Sequence, residues 1–326
     1  MELYYARTPG RDRIHRMLHA AGVAHTPDEQ SEWDLFLPSR GKHYLKDIQN
    51  VLPSRTDQWL GALPEYYWIS NKANLWNELH RHSPEAAQLM PESWVLNRRA
   101  DMARLRSSWK PGQQILLKNP HRQQRKGLMF CDDLSAIPDA VSKGFILGQR
   151  LAGDLVLIGG RRFHLRIYVL VVRQDGAFSF YIHRDGRVIY APHPVVLGGP
   201  SSWLTRSVGS AVLPAGLPFL LTELAPSMQP VDALIGEVAR VLLPRLERAW
   251  LFGSNPAMQL FGTDVLLREN GKAYIIEFNM GPDMSARCAR DSEMKDRVIA
   301  DQIACVGLGR DGACWPGGFR RVFSSR

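Results

Sequence analysis

Two acidic side chains and one amide stand at the ends of otherwise apolar strands in FGTDVLLRENGKAYIIEFNMGP, residues 261–282. They are Asp264, Glu277 and Asn279. Carboxylate and amide oxygens are ligands that Mg²⁺ takes in proteins, usually together with substrate phosphates. The residue types therefore predict a magnesium site that works on a phosphorylated substrate. The alternative is a pair of solvated strand ends whose acids only aid solubility.

Hairpin geometry predicts that these three side chains converge. Asn270-Gly271 between two hydrophobic runs is typical of a two-residue type I′ turn, because both central positions of that turn need positive φ. Such a turn places Asp264 opposite Glu277, and Asn279 then lies on the same face. Opposed carboxylates repel each other, so the pairing indicates a bound cation. The turn also predicts the pairs Val265 with Ile276 and Leu267 with Tyr274.

Basic residues on two other strands could bind phosphates. In RRFHLRIYVLVV, residues 161–172, alternation places Arg162, His164 and Arg166 on one face and apolar residues on the other. Lys118 ends the apolar run QILLK. Arg can bind phosphate oxygens in a bidentate manner, and Lys acts as a point charge. The alternative is a solvent-exposed edge strand with basic side chains.

Two further segments are candidate phosphate-binding loops. NPHRQQRKGL, residues 119–128, is predicted to be a mobile basic loop that could close over a nucleotide, and the alternative is a solvated loop without a role. GLGRDG, residues 307–312, matches a dinucleotide fingerprint but lacks the strand before it and the helix after it, so we interpret it as a C-terminal loop.

Helical and strand patterns interleave along the chain, which is typical of an α+β fold with antiparallel sheets and flanking helices. Strand patterns dominate from about residue 144, with Asp175-Gly176 and Asp185-Gly186 as turn signals. We expect a small N-terminal lobe (residues 1–64), a central lobe (65–143) and a C-terminal lobe with the metal site (144–326).

The composition indicates a globular protein with an anionic partner. The 326 residues include 45% hydrophobic and 22% charged residues, and the net charge is +9. Nucleotides and acidic polypeptides are anionic partners that fit this charge, and we do not expect nucleic acid as a partner. Four cysteines without C-x-x-C spacing suggest a reducing cytoplasm. The N-terminus does not resemble a signal peptide, and no apolar run is long enough to span a bilayer, so no membrane partner is expected.

The order of the motifs resembles that of the tubulin tyrosine ligase family of ATP-grasp ligases. The resemblance covers roughly residues 64–303. It rests on PEYYWISNKANLWNEL, ILLKNP, KGLMF, FILGQRL, GGRRFHLRIYVLVV, YIHRDG, WLTR, FGTDVLLRENGKAYIIEFNMGPDM and DSEMKDRVIADQI, of which the last two are the most specific. The resemblance implies an ATP-grasp fold with the nucleotide between two lobes, and ATP and Mg²⁺ as cofactors.

The resemblance also implies roles for individual residues. Asp264, Glu277 and Asn279 would bind Mg²⁺, while Lys118, Arg166 and Glu277 would be catalytic. Arg166 would face the reacting carboxylate, and Arg184 and Lys295 would help to hold substrate. The residues expected to bind the nucleotide are Lys118, Lys126, Gly127, Gln149, Arg150, Leu151, Arg162, His164 and Thr205.

Several positions depart from the family pattern. An acid of the K-F-D-L-R motif is His164 here, and the asparagine after Thr205 is Arg206. The lysine of the adenine linker is Arg150, and an arginine expected after the RDG turn is Ile189. These departures argue against tubulin as the acceptor.

Three functions follow as hypotheses. The first is an ATP-dependent ligase that joins an amino acid donor to an acidic peptide or protein through an acyl phosphate. The second is a biosynthetic ligase that joins small carboxylic acids and amines. The third is a basic RNA-binding or scaffold protein with a decayed ATP site, which would be expected to have lost Asp264 or Glu277.

Overall fold

The computed structural model of this protein describes residues 3–6, 13–28, 32–38, 50–51, 53–64, 66–120, 127–224, 227–305, 307 and 317–326. In these ranges helices flank two sheets in which antiparallel pairs predominate, so the predicted α+β class is confirmed. No helix within these ranges combines the length and apolar character that a membrane span requires.

The strands and helices are numbered in chain order. The strands are β1 (Leu3–Tyr5), β2 (Ala24–Thr26), β3 (Leu35–Phe36), β4 (Trp59–Leu60), β5 (Ser93–Val95), β6 (Ile115–Lys118), β7 (Leu128–Cys131), β8 (Leu147–Arg150), β9 (Phe163–Gln174), β10 (Ala177–Tyr190), β11 (Ala257–Leu267), β12 (Ala273–Met280) and β13 (Phe319–Ser324). The α-helices are α1 (Arg13–Ala20), α2 (Tyr66–Ser70), α3 (Lys72–His82), α4 (Pro84–Ala87), α5 (Arg99–Ser108), α6 (Ile137–Ser142), α7 (Pro200–Trp203), α8 (Gln229–Arg248) and α9 (Ala289–Cys305).

The larger sheet joins the two ends of the chain. Its strand order is β13-β10-β9-β11-β4-β3-β1-β2, and β12 pairs with the part of β11 that β4 leaves free. The smaller sheet has the order β5-β8-β6-β7, and all of its pairs are antiparallel. Strand β8 belongs to this smaller sheet. The division of the chain into three lobes stays a prediction.

Strand β9 lies inside the larger sheet, between β10 and β11. Its alternation behaves as predicted, because Phe163, Leu165 and Ile167 on one face are buried in the main core. On the other face Tyr168 and Leu170 enter a second core, while Arg166 before them remains accessible. One face of the strand therefore changes along its length from polar to apolar, and the polar end is available for a site.

One predicted turn on β10 is confirmed and the other is wrong. Asp175 and Gly176 join β9 to β10 as a two-residue loop with φ of 52° and 76°, as a type I′ turn requires. Asp185-Gly186, by contrast, lies inside β10, where a bulge falls between Ile182 and Gly186. A Cβ on Gly186 would lie 2.4 Å from the carbonyl oxygen of Arg166, so glycine here permits a close approach of two strands rather than a turn.

The loop of the β11–β12 hairpin is not the predicted type I′ turn. Arg268 N donates to Lys272 O at 2.9 Å, and Gly271 N donates to Arg268 O at 3.1 Å, so three residues form the connection. Gly271, and not Asn270, has positive φ. A three-residue loop with a left-handed glycine at its end is another common hairpin connection, which the Asn-Gly signal does not distinguish.

The longer loop shifts the register of this hairpin, and a bulge restores it. Val265 pairs with Ile275, so the predicted pairs Val265 with Ile276 and Leu267 with Tyr274 are wrong. The register changes again between Val265 and Asp264, because Ile276 bulges out of the ladder. Asp264 is therefore opposite Glu277 as predicted, but through two irregularities that cancel.

Candidate active site

The predicted metal ligands converge on one face of the β11–β12 hairpin. Asp264 and Glu277 are direct cross-strand partners, and Asn279 Nδ2 donates to Glu277 Oε1 at 2.9 Å. Asp264 is only 7% exposed, so it is not a solvated strand end. Of the pairs inferred from the sequence, the opposition of Asp264 and Glu277 is therefore confirmed.

Each of the two acids is bonded to a basic side chain of its own. Arg166 lies opposite Asp264 across β9 and β11, and its Nε and Nη2 donate to the two carboxylate oxygens at 2.5 and 3.1 Å. Lys72, at the start of α3, forms an ion pair with Glu277 Oε2. These contacts offset the repulsion between the two opposed carboxylates.

His164 occupies the next position along the site face of β9. Its Nδ1 lies 2.7 Å from Thr205 Oγ1, and its Nε2 lies 3.5 Å from Asp264 Oδ1. Burial lowers the pKa of His164, although the charge of Asp264 opposes this shift. The imidazole is therefore neutral at neutral pH. Burial would raise the pKa of Asp264, but the charge and hydrogen bonds of Arg166 outweigh it and hold that pKa below its usual value.

The smaller sheet supplies a second basic group. Lys118 ends β6, and its Nζ donates to Gln149 Oε1 of β8 at 2.6 Å. Gln149 Nε2 in turn donates to Ser93 Oγ at 3.0 Å. Burial, reinforced by the charge of Lys72 and opposed by Glu277 and Asp264, lowers the pKa of Lys118 to about 8. The Lys118 ammonium therefore lies within the electrostatic field of the two acids of the larger sheet.

Other predicted nucleotide residues lie in separate local environments. The Arg162 guanidinium stacks 3.4 Å from the centre of the Trp203 ring. Arg150 Nε donates to Glu92 Oε2 at 2.8 Å, and Leu151 follows it directly, half-buried. The carbonyl oxygen of Gly127 accepts from Asn119 N at 2.8 Å. Lys126 and most of the 307–312 motif lie outside the described residues.

The predicted substrate residues Lys295 and Arg184 are placed differently. Lys295 is buried on α9, where its Nζ bonds Ser285 O at 2.6 Å and Asp291 Oδ2 at 3.1 Å. Arg184 is exposed in the β10 bulge, and its backbone N–H donates to Gly318 O. No contact among the described residues joins the Arg184 side chain to the acids. Its role stays a prediction, as do the roles of the other site residues.

Two basic residues near the acids were missed. Lys72 begins a helix, where a cation opposes the helix dipole, and this unfavourable placement was the available signal. Arg187 was hidden because Asp185-Gly186 was interpreted as a turn. It lies opposite Arg166 across β9 and β10, and its Nη1 is 3.5 Å from Asp291 Oδ2.

The donor set is suitable for Mg²⁺. Asp264 and Glu277 supply carboxylate oxygens, and the carbonyl oxygen of Asn279 accepts no hydrogen bond from the described residues. In the described part of the chain, no three His, Cys, Asp or Glu side chains gather as a metal site by themselves. A magnesium ion here would therefore depend on the amide and on oxygens of the nucleotide.

Comparison with known proteins gives a family match and several distant relatives. The sequence model of the Tubulin-tyrosine ligase family matches residues 50–196 and 252–312 of this chain. A human protein named tubulin monoglutamylase TTLL4 is 26% identical over 302 residues, which cover 82% of this chain and 25% of that protein. A Caenorhabditis elegans protein named tubulin polyglutamylase ttll-5 is 25% identical over 304 residues, which cover 77% of this chain and 40% of that protein.

A mouse protein named probable tubulin polyglutamylase TTLL9 is 24% identical over 178 residues, which cover 50% of this chain and 38% of that protein. The chain thus spans between a quarter and two fifths of the length of these relatives. The family match itself covers more than half of the chain and includes β9 and the β11–β12 hairpin. The chain belongs to the tubulin-tyrosine ligase family.

Proposed function

We propose that this protein is an ATP- and Mg²⁺-dependent ligase that forms an amide bond between an acceptor carboxylate and the amine of an amino acid. The observation that carries the proposal is the direct opposition of Asp264 and Glu277, with Arg166 bonded to Asp264 and Lys118 within the field of both acids. This arrangement would supply ligands for a divalent cation and positive charges for phosphate. The relatives named as tubulin glutamylases support a protein acceptor and suggest glutamate as the first donor to test.

The proposed reaction has two steps. An acceptor carboxylate oxygen attacks the γ-phosphorus of ATP, ADP leaves, and an acyl phosphate forms. The donor amine then attacks the acyl carbon, releases phosphate and loses a proton to form the amide. Lys118 and Arg162 hold the phosphates, and Arg166 orients the acceptor carboxylate, so the protein acts by positioning and electrostatics.

Asp264, Glu277 and Asn279 would hold Mg²⁺, which would neutralise negative charge on the phosphates of the nucleotide. Gln149 fixes the Lys118 ammonium, and Thr205 fixes the His164 ring beside Asp264. Retention of both acids weighs against the decayed-site hypothesis. Among the described residues, the free thiols of Cys131 and Cys288 support the proposal of a reducing cytoplasm.

The proposal is tested by measuring ATP-dependent mass addition to acidic peptides and to tubulin, with each of the twenty amino acids as donor and ADP release recorded in parallel. We expect addition that requires an acceptor polypeptide, ATP and Mg²⁺ together. ADP release driven by one amino acid without any peptide would instead indicate a small-molecule ligase. Absence of ATP turnover and of nucleotide binding under all conditions would contradict the proposal.

A further inference from the structure

Both carboxylate oxygens of Glu277 are already bonded to protein groups. Asn279 Nδ2 donates to Oε1 at 2.9 Å, and the Lys72 ammonium pairs with Oε2. The side chains of Lys72 and Glu277 are only 18% and 15% exposed, so water screens this ion pair less than one at the open surface. A cation that binds Glu277 must therefore either share the carboxylate with Lys72 or displace Lys72 from it.

The position of Lys72 in the fold is unfavourable without this partner. Asn71 caps helix α3, accepting hydrogen bonds from the backbone N–H groups of Ala73 and Asn74, and Lys72 is the first helical residue. A positive charge in the first turn opposes the helix dipole. The compensating interaction is the ion pair with Glu277, which lies on strand β12 of the larger sheet.

We propose that Lys72 is a tethered counter-ion of Glu277, which a divalent cation displaces only when that cation arrives together with the nucleotide. The inference rests on the proposed function, because it concerns how the same site takes up its metal. Lys72 thus sets the metal affinity of the site and makes metal binding depend on ATP.

The charges around Glu277 explain the dependence on nucleotide. Lys72, Lys118 and Arg166 carry three positive charges against the two negative charges of Asp264 and Glu277, so the group has a net charge of +1. A free divalent cation would enter a group that already repels it. A metal–ATP complex keeps a net negative charge and is attracted. The positive charge of Lys72 lowers the pKa of Lys118, which is consistent with mutual repulsion between the two ammonium groups.

The proposal predicts opposite behaviour for free metal and for metal with nucleotide. In the wild-type protein, Mn²⁺ alone should bind weakly, and a non-hydrolysable ATP analogue should tighten its binding. In Lys72→Met, Mn²⁺ alone should bind roughly tenfold more tightly, because the competing cation is gone. Lys72→Arg should resemble the wild type, since it keeps the charge.

The experiment is a titration of Mn²⁺ into nucleotide-free protein, followed by electron paramagnetic resonance and repeated with the ATP analogue. Lys143→Met is the matched control, because Lys143 forms an exposed ion pair with Asp139 on α6, away from the acids. Thermal unfolding checks that each variant is folded, and Lys72→Gln replaces Lys72→Met if the latter does not fold.

Tighter binding of free Mn²⁺ in Lys72→Met or Lys72→Gln, but not in Lys143→Met, supports the inference. Equal Mn²⁺ affinity in wild type and in these Lys72 variants overturns it, even when all of them bind the ATP analogue, and leaves the proposed ligase function intact. Failure of every variant, and of the wild type, to bind the analogue with Mn²⁺ overturns the proposed function and the inference together.

Discussion

Asp264 and Glu277 face each other directly across the β11–β12 hairpin, and each is bonded to a basic side chain from a different element. Arg166 on β9 holds Asp264, and Lys72 at the start of α3 holds Glu277. Like charges directly opposite in a sheet destabilise it, so these two cations stabilise a pairing that the hairpin alone would disfavour. Two carboxylates and two basic side chains are therefore gathered at this position of the hairpin.

Replacing Glu277 by glutamine should abolish ligation while the fold is kept. The amide has the same shape but loses the charge for Mg²⁺, so we expect turnover to fall roughly a hundredfold or more. Thermal unfolding should change by only a few degrees, since glutamine can still accept from Asn279. Glu269→Gln in the exposed loop of the same hairpin is the control and should turn over normally. Normal turnover in Glu277→Gln would contradict the metal assignment.

Gly262→Ala should impair the site by moving Arg166. A Cβ at position 262 would lie 2.9 Å from Pro282 Cβ and 3.3 Å from Arg166 Cδ, so Pro282 must move and the arginine stem must also give way. We expect a loss of stability of about 1–3 kcal/mol together with a larger loss of turnover. Gly153→Ala, which has no neighbour within 4 Å of its new Cβ, should change neither quantity measurably. If turnover falls only in proportion to the fraction of unfolded protein, Gly262 is not needed to position Arg166.

Lys118 should make nucleotide binding weaken above about pH 8. The pKa of Lys118 is lowered to about 8, and phosphate favours its charged form, so binding at higher pH requires uptake of a proton. Calorimetry of an ATP analogue in buffers of different ionisation enthalpy should show this proton uptake in the wild type. Lys118→Met should bind more weakly at neutral pH and show a smaller change with pH.

The same shift predicts how stability changes with pH when no nucleotide is bound. Between pH 8 and the ordinary lysine value of 10.5, the unfolded chain binds the extra proton, so the free energy of unfolding rises with pH. The wild type should gain up to about 3 kcal/mol over this interval relative to Lys118→Met. Denaturant unfolding at several pH values measures the difference. Parallel curves for the two proteins would contradict the shifted pKa.

His164 on β9 and Ile189 on β10 should be energetically coupled. His164 and Ile189 are direct cross-strand partners, and Ile189 is buried. Ile189→Arg alone should cost about 3 kcal/mol, because it buries an unpaired charge. Adding His164→Asp should recover about 1–2 kcal/mol by supplying a partner. A double-mutant cycle of unfolding free energies tests this, and additive single effects would show that the two positions are independent.

Local sequence patterns were sufficient for the fold class, the faces of β9 and the convergence of Asp264, Glu277 and Asn279. Alternation is a property of each strand by itself, so Arg166 and His164 could be placed on one face without knowledge of the neighbours. The opposition of Asp264 and Glu277 was also predicted, although the two irregularities that produce it were not. A bulge at Ile276 leaves no mark in an apolar run, because isoleucine fits a regular ladder equally well.

Tertiary structure decided which cations meet these acids. Lys72 lies about two hundred residues before Glu277, and its local sequence does not indicate that Glu277 is its partner. Arg187 reaches the buried cluster with Asp291 only because β10 continues through Asp185-Gly186, where glycine allows β9 to approach. The sequence by itself determined which groups can do chemistry, since residue type and strand period are local. Their charge partners and pKa values depend on burial and on long-range packing, which only the folded chain establishes.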